Sequence, residues 1–358
     1  MNRRHPIRQW TKRKGIHSLE MKIGAIFDWD GVVIDSSLAH EESWELLAKE
    51  VGKPLPPDHF KRGFGQHNAV IIPEILHWTE DLEEIERWSL RKESLAMVHM
   101  PATGVSGVDL YARVGYAWRW LGIGRPATFP DNEVLLCTGL PEGTREYMLY
   151  LPLYNGVRSV SLGVPESTSF EATPPRRAQP VVFYGTSITQ GGCASRPGTC
   201  YPAVLGRMLD RATNNLGFSG NGKMEKEIAE LLAELDPALY VIDCLPNMTA
   251  DEVAERAPEL IRILRAARPQ TPILLVEDRT YSDAFLHQDR AERNRSSRAA
   301  LRQAFAELQD INDLHYMEGE QLLGADGDDT VDGSHPTDLG FRRQAEAFFP
   351  VLKKRLTP

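Results

Sequence analysis

At 358 residues, with 42% hydrophobic and 25% charged residues, the chain has the balance of a soluble globular protein and the length of two or three domains. Its net charge of −9 argues against general nucleic-acid binding, and no run approaches the roughly 18 apolar residues a membrane helix needs. Four cysteines (Cys137, Cys193, Cys200, Cys244), none in CxxC spacing, argue against a zinc site.

In chain order, residues 1–20 (MNRRHPIRQWTKRKGIHSLE) are basic and lack the apolar core of a secretory signal, so a disordered tail is expected. Without an export signal, the thiols are expected to be reduced and the protein cytoplasmic; Cys193 and Cys200 are near enough in sequence to pair in an exported chain. The stretch AIFDWDGVVIDSS (25–37) reads as an apolar strand entering a tight turn, with Asp28 and Asp30 one residue apart. Helical periodicity follows over 37–52, closing on Gly52, and again over 66–77 and 80–96.

From Val98 to about Thr173 no helix is predicted. Short segments (VDLYARV, YAWRWLGI, EVLLCTGL, REYMLYLPLY, VRSVSLGV) are separated by Gly, Pro, Asn and Asp, as in antiparallel strands of a sandwich or jelly roll. A jelly roll has about eight strands; these five predict a partial one over 98–175. Trp118 and Trp120 share a strand face, where core packing is favoured over stacking on a sugar.

After the linker EATPPRRAQP (171–180), strands and helices alternate: VVFYGTS, a helix from Tyr201, NNLGF, a helix over 223–235, LYVID, a helix over 251–267, PILLVE, then helices over 286–308 and 337–354. Alternation of this kind predicts a parallel sheet covered on both faces, with ligands at the carboxyl ends of its strands. Four elements fall at such ends or on late loops. GTSITQGG (185–192) offers Ser187 as a nucleophile in a Gly-rich turn. NLGFSGNG (215–222) offers the N–H of Gly220, and DCLPN (243–247) the amide of Asn247, for a developing oxyanion. DGSHP (332–336) offers His335 as general base with Asp332 to orient the ring, and Pro336 at a first helical position. Each alone reads as an ordinary turn; the order and placement of all four carry the signal.

Together these blocks over 179–358 resemble the SGNH hydrolases, the GDSL-like esterase and lipase superfamily, with Thr186 where the GDS block has Asp. The resemblance implies an α/β fold, a flavodoxin-like three-layer α/β/α sandwich. It also implies a serine esterase using Ser187, Asp332 and His335, with an oxyanion hole from Ser187, Gly220 and Asn247. No cofactor or metal is implied for it. The β segment resembles the jelly-roll domain ahead of one bacterial SGNH subgroup, which implies short acyl esters, acetyl foremost, on a small-molecule or carbohydrate alcohol. No nucleic-acid or membrane partner is expected.

AIFDWDGVVIDSS resembles the first motif of haloacid dehalogenase-like phosphatases, nearest the β-phosphoglucomutase group, and residues 36–96 resemble their helical cap, with RGFGQHN (62–68) as a cap loop. This implies Asp28 as nucleophile, Asp30 as general acid/base and a Mg²⁺ site at the pair. GDDTVD (327–332) fits that family's later acidic pattern, but its residues are already in register with the esterase blocks, and no apolar strand runs into it. Residues 21–97 are therefore expected to be a truncated phosphatase-like segment joined near 93–98 to the back of an esterase, with unpaired edges and poor stability over 21–175. The alternative activity is a Mg²⁺-dependent phosphatase or phosphomutase using Asp28. A non-catalytic role for residues 1–175, as a carbohydrate module or a basic arm, is the third reading.

Overall fold

The computed structural model describes residues 16–21, 37–63, 68–96, 100–127, 132–165, 167–174 and 178–356. Asp28, Asp30 and most of RGFGQHN lie outside them. The described residues divide into two compact units, one drawn from 1–28 and 156–175, the other from 29–155 and 176–358. The strands, in chain order, are β1 (Ile16–Met21), β2 (Val108–Val114), β3 (Ala117–Gly124), β4 (Tyr147–Tyr150), β5 (Val160–Pro165), β6 (Val181–Thr186), β7 (Thr213–Phe218), β8 (Leu239–Asp243), β9 (Ile273–Val276) and β10 (Leu314–Met317).

The smaller unit is an antiparallel ribbon in which β1 runs against β5 from Ile16↔Pro165 to Met21↔Val160. Residues 16–20, expected as part of a disordered tail, are thus strand. The basic run that marked the tail, Arg3 to Lys14, ends before β1 begins. Pairing with β5 satisfies backbone groups that a free tail would leave to water.

The larger unit opens with helices α1 (Ser37–Val51), α2 (His59–Gly63), α3 (Asn68–Val70) and α4 (Leu82–Ala96). In α1 the residues Trp44, Leu47, Ala48 and Val51 recur at helical spacing, and the first three are buried. They pack with Ile72, Trp78, Ile85 and Trp88. Trp78 meets Trp44 and Trp88 edge-to-face, each at 5.9 Å between ring centres, and its Nε1–H donates to the Pro54 carbonyl at 2.8 Å. The segment expected to be poorly stable therefore has its own core. The single helix expected over 66–77 is instead α3 followed by a π-helical turn, Ile71–Ile75. Pro73 within that turn has no N–H to give to an ordinary helical ladder.

One short helix, α5 (Ala102–Val105), stands where none was predicted. The three-stranded antiparallel sheet β3-β2-β4 follows, with a two-residue hairpin at Gly115–Tyr116 and a bulge between Leu110 and Tyr111. EVLLCTGL is not a strand: residues 132–140 pair with no ladder, and Leu135 is 78% exposed. VRSVSLGV supplies β5, whose partner is β1. Among the described residues, the expected partial jelly roll is therefore a three-stranded sheet and a separate two-stranded ribbon. Trp120, expected in the core, is 51% exposed.

The C-terminal part is a five-stranded sheet in the order β10-β9-β8-β6-β7, every pair parallel. Counted from β6, that order is 2-1-3-4-5, the flavodoxin-like winding. Helices α6 (Ser187–Gln190), α7 (Tyr201–Leu209), α8 (Lys226–Glu234), α9 (Ala250–Ala267), α10 (Gln288–Glu307) and α11 (Asp338–Leu356) complete it. Strand residues alternate between two cores. Val182, Tyr184, Tyr240 and Ile242 face α8, α9 and α10, while Val181, Phe183, Leu239 and Val241 face α7 and α11. The result is the three-layer sandwich the sequence predicts. Burial of each large apolar side chain contributes about 1.5–3 kcal/mol, so the sheet is a rigid floor for whatever its strand ends carry. No described helix is long and apolar enough to cross a membrane.

Candidate active site

The strand order reverses at β6, and in sheets of this winding ligands bind beyond the carboxyl ends of the strands at such a switch point, here β6 and β8. Ser187 is the first residue after β6 and the first of α6. Local sequence dictates the sharp turn. A side chain at Gly185 would collide with Thr189 Oγ1 and come within 2.6 Å of the Asp243 carbonyl. Thr186, fully buried, caps α6 by accepting the Ile188 N–H on its hydroxyl at 3.3 Å. Thr can serve here in place of Asp because the middle residue of the block caps the turn. Gly191 closes α6 at φ +111°, a left-handed geometry that favours glycine.

Ser187 Oγ lies 2.8 Å from His335 Nε2, and His335 Nδ1 lies 2.7 Å from Asp332 Oδ2. The other oxygen of Asp332 accepts the backbone N–H of His335 at 2.7 Å and of Ser334 at 2.9 Å. Partial burial works against the Asp332 carboxylate, but the hydrogen bonds from the His335 ring and from these two N–H groups outweigh it. They hold the group well below the usual carboxylate range. Arg290 braces this loop from outside, donating to the Asp332 carbonyl at 3.2 Å and to Asp283 at 2.6 Å, while Ser282 N–H donates to the Gly333 carbonyl at 2.9 Å.

Gly220 follows β7 at φ +70°, in a turn closed by Asn221 N–H on the Phe218 carbonyl at 3.1 Å. Asn247 ends a 3-10 turn after β8, and its side-chain amide donates to the Asn221 carbonyl. An amide nitrogen carries two hydrogens, so this bond uses one of the donors of Asn247. Of the residues singled out from sequence, Ser187, His335 and Asp332 are brought into one hydrogen-bonded chain. Gly220 and Asn247 are joined through Asn221. Asp28 and Asp30 lie outside the described residues.

Sequence reasoning missed the layer beneath Ser187. Asp243, fully buried, pairs with Arg279 at 2.8 Å and accepts from the Tyr201 hydroxyl at 2.9 Å. Thr189, two residues beyond Ser187, also shares a hydrogen bond with Tyr201 at 3.0 Å. Asp243 was visible as the first letter of DCLPN, but nothing local identifies Arg279 as its partner. The acidic run GDDTVD is otherwise engaged: Asp329 accepts from Ser282 Oγ at 2.9 Å and lies 3.5 Å from Arg343, while Asp332 serves His335. Among the described residues, no group of three or more His, Cys, Asp or Glu side chains is arranged to hold a metal ion.

Residues 178–353 match the model of the GDSL-like lipase/acylhydrolase family, and residues 76–170 match that of the GxDLY domain, the N-terminus of SGNH-hydrolase-type esterases. GVDLY (107–111), at the start of β2, carries that pattern. A solved structure from Bacteroides ovatus, described as a GDSL-like lipase, is 34% identical, with a TM-score of 0.69 over 72% of this chain and 77% of that one. A family two carbohydrate esterase from Clostridium thermocellum, solved with cellohexaose, shares the fold at 15% identity, with a TM-score of 0.54 over 72% of this chain and 87% of that one. A separate likeness covers 75 residues, 40% identical to the chloroplastic 5-amino-6-(5-phospho-D-ribitylamino)uracil phosphatase of Arabidopsis thaliana; the chain spans 20% of that relative's length. The fold, the two family matches and the Bacteroides ovatus relative agree on an ester-bond hydrolase, and the chain belongs to the GDSL-like lipase/acylhydrolase family.

Proposed function

We propose that this chain hydrolyses short-chain acyl esters, acetyl esters foremost, through a covalent acyl-enzyme on Ser187. The observation that carries the proposal is the hydrogen-bonded run Ser187–His335–Asp332 at the carboxyl end of β6. In the reaction, Ser187 Oγ attacks the ester carbonyl carbon while His335 Nε2 takes its proton. The carbonyl oxygen becomes an oxyanion, met by the N–H groups of Ser187 and Gly220 and by the side-chain amide of Asn247. His335 returns the proton to the leaving alcohol, and the ester C–O bond breaks. Water then repeats the sequence on the acyl-enzyme, releasing the acid and restoring Ser187. Every step uses groups of the chain and water. Asp332 stays ionised and fixes the ring so that Nε2 faces the serine.

A carbohydrate alcohol is the proposed partner of the acyl group. The shared fold of the Clostridium thermocellum carbohydrate esterase supports this choice. The test is a chain-length series of p-nitrophenyl esters beside acetylated xylo- and cello-oligosaccharides. Activity should be highest on acetyl and vanish in Ser187→Ala; full activity in that variant would reject the mechanism.

A second reading rests on the 75-residue likeness to a phosphatase. It assigns Asp28 as a nucleophile and Asp30 as acid/base, with Mg²⁺ at the pair. Mg²⁺-dependent turnover of p-nitrophenyl phosphate that disappears in Asp28→Asn would support it, and absence of turnover in the wild type would remove it.

A further inference from the structure

The turn that carries Gly220 is held from outside the α/β sandwich. Tyr154, in the segment that follows β4, shares a 2.7 Å hydrogen bond with Ser219 Oγ. The backbone N–H of Ser219 donates to Gln190 Oε1 at 3.0 Å, and Gln190 Nε2 donates back to the carbonyl of Leu153 at 3.1 Å. Both contacts therefore trace to the same two residues, Leu153 and Tyr154. One is direct, and the other passes through the last residue of the helix that starts at Ser187.

The two residues are fixed in turn. Leu153 N–H donates to the Gly104 carbonyl at 3.2 Å, and Tyr154 N–H donates to the Val105 carbonyl at 3.1 Å. Gly104 packs directly on the Ala194 carbonyl, leaving no room for a side chain, and Thr103 Oγ1 donates to the Ser195 carbonyl at 2.7 Å. Tyr154 also reaches the catalytic space itself. A Cβ built on Gly192 would lie 3.0 Å from the Tyr154 hydroxyl and 3.4 Å from His335 Cδ2. Burial raises the phenol above the ordinary tyrosine range, so the hydroxyl keeps its proton at any working pH.

We infer that Tyr154 is a positioning residue for oxyanion stabilisation. From the strand segment ahead of the hydrolase domain, it locks the Ser219–Gly220 turn in the orientation that presents the Gly220 N–H to the oxyanion. The inference rests on the serine-esterase reading above. An oxyanion donor acts through its fixed geometry, and a turn free to rotate would spend part of its time with that N–H misaimed. The bond is made to the turn and not to the substrate, so its loss should fall on kcat and spare KM.

The test uses the full chain and p-nitrophenyl acetate, with rates normalised to the active fraction measured from the p-nitrophenol burst. Tyr154→Phe removes the hydroxyl and keeps the ring; Ser219→Ala removes the same bond from the other side. Each should lower kcat about three- to tenfold, the effect of one neutral hydrogen bond, with KM within about twofold. The double variant should lose no more than the worse single variant, because both remove one interaction. If Tyr154→Phe fails to fold, Ser219→Ala decides by the same measurement. Wild-type kcat per active site in these variants, or losses that multiply in the double variant, would overturn the inference while leaving the esterase reading intact. A wild type without esterase activity, or an unaffected Ser187→Ala, would remove that reading and the inference with it.

Discussion

At the residue scale, the carboxylate of Asp332 makes a prediction with a defined sign. Its hydrogen bonds depress its native pKa, so it adds stability above its unfolded pKa of about 3.9. That contribution is lost only as the pH falls below this value towards the native one. The difference in melting temperature between wild type and Asp332→Asn should therefore be steady from pH 8 to pH 5 and shrink below about pH 4. Disappearance of the difference between pH 7 and pH 6 would contradict the assignment. The same substitution should lower kcat on the order of 10³- to 10⁴-fold, since the ring of His335 loses the group that fixes its orientation. The thiols give a second test. Burial pushes Cys193 up to about 12 and Cys200 up to about 11, and Cys244 is fully buried, whereas Cys137 is partly exposed. Titration of the native protein with a thiol reagent at pH 8 should find one fast-reacting cysteine, and four after unfolding. The site letters were legible because each one is a chemical type at a strand end or, for Asp332 and His335, on the loop before the last helix. Arg279 and Arg290 were not, since their partners lie 36 and 42 residues away in sequence.

At the scale of elements, the seat of α6 against β7 is the feature most sensitive to volume. A side chain at Gly217 would collide with the backbone N of Gln190, with no flexible group to yield. Gly217→Ala should cost about 1–3 kcal/mol in denaturant unfolding. It should also lower kcat, because α6 carries Ser187 at its other end. Unchanged stability would mean that the close approach is not real. Sequence periodicity identified most of the parallel strands and the long helices, since β6, β8 and β9 are unbroken buried, largely apolar runs and the helices alternate with them. It missed β10, whose residues LHYM are short, half polar and at the sheet edge. It assigned EVLLCTGL to a strand on its alternation and flanking turn residues, although among the described residues no neighbouring strand offers it a ladder. Pro73 and the missing donor it implies were the local sign that 66–77 could not form one regular helix.

Across the whole molecule, a buried carboxylate adds to the hydrogen bonds that tie the strand segment of the larger unit to its α/β core. Asp109, fully buried in GVDLY, accepts both from Arg196 and from the Gly198 N–H at 3.0 Å, and from Trp120 Nε1 at 2.8 Å. Arg196 also lies over the Trp120 ring at 5.2 Å, which explains why this tryptophan stays half exposed instead of entering a core. Asp109→Ala would leave those donors without an acceptor and should lower stability by about 3 kcal/mol, measurable by urea unfolding; a change below 0.5 kcal/mol, the ordinary surface value, would contradict it. The sequence resembles two enzyme families along one chain, and the described residues concentrate an assembled site in the second. The central claim is that Ser187 is the nucleophile. It is tested most directly by inactivation with diethyl p-nitrophenyl phosphate, followed by peptide mass spectrometry. One diethylphosphoryl group on the peptide bearing Ser187, gained in step with the loss of esterase activity and absent from Ser187→Ala, is the expected result. Loss of activity with that peptide unmodified would contradict the account.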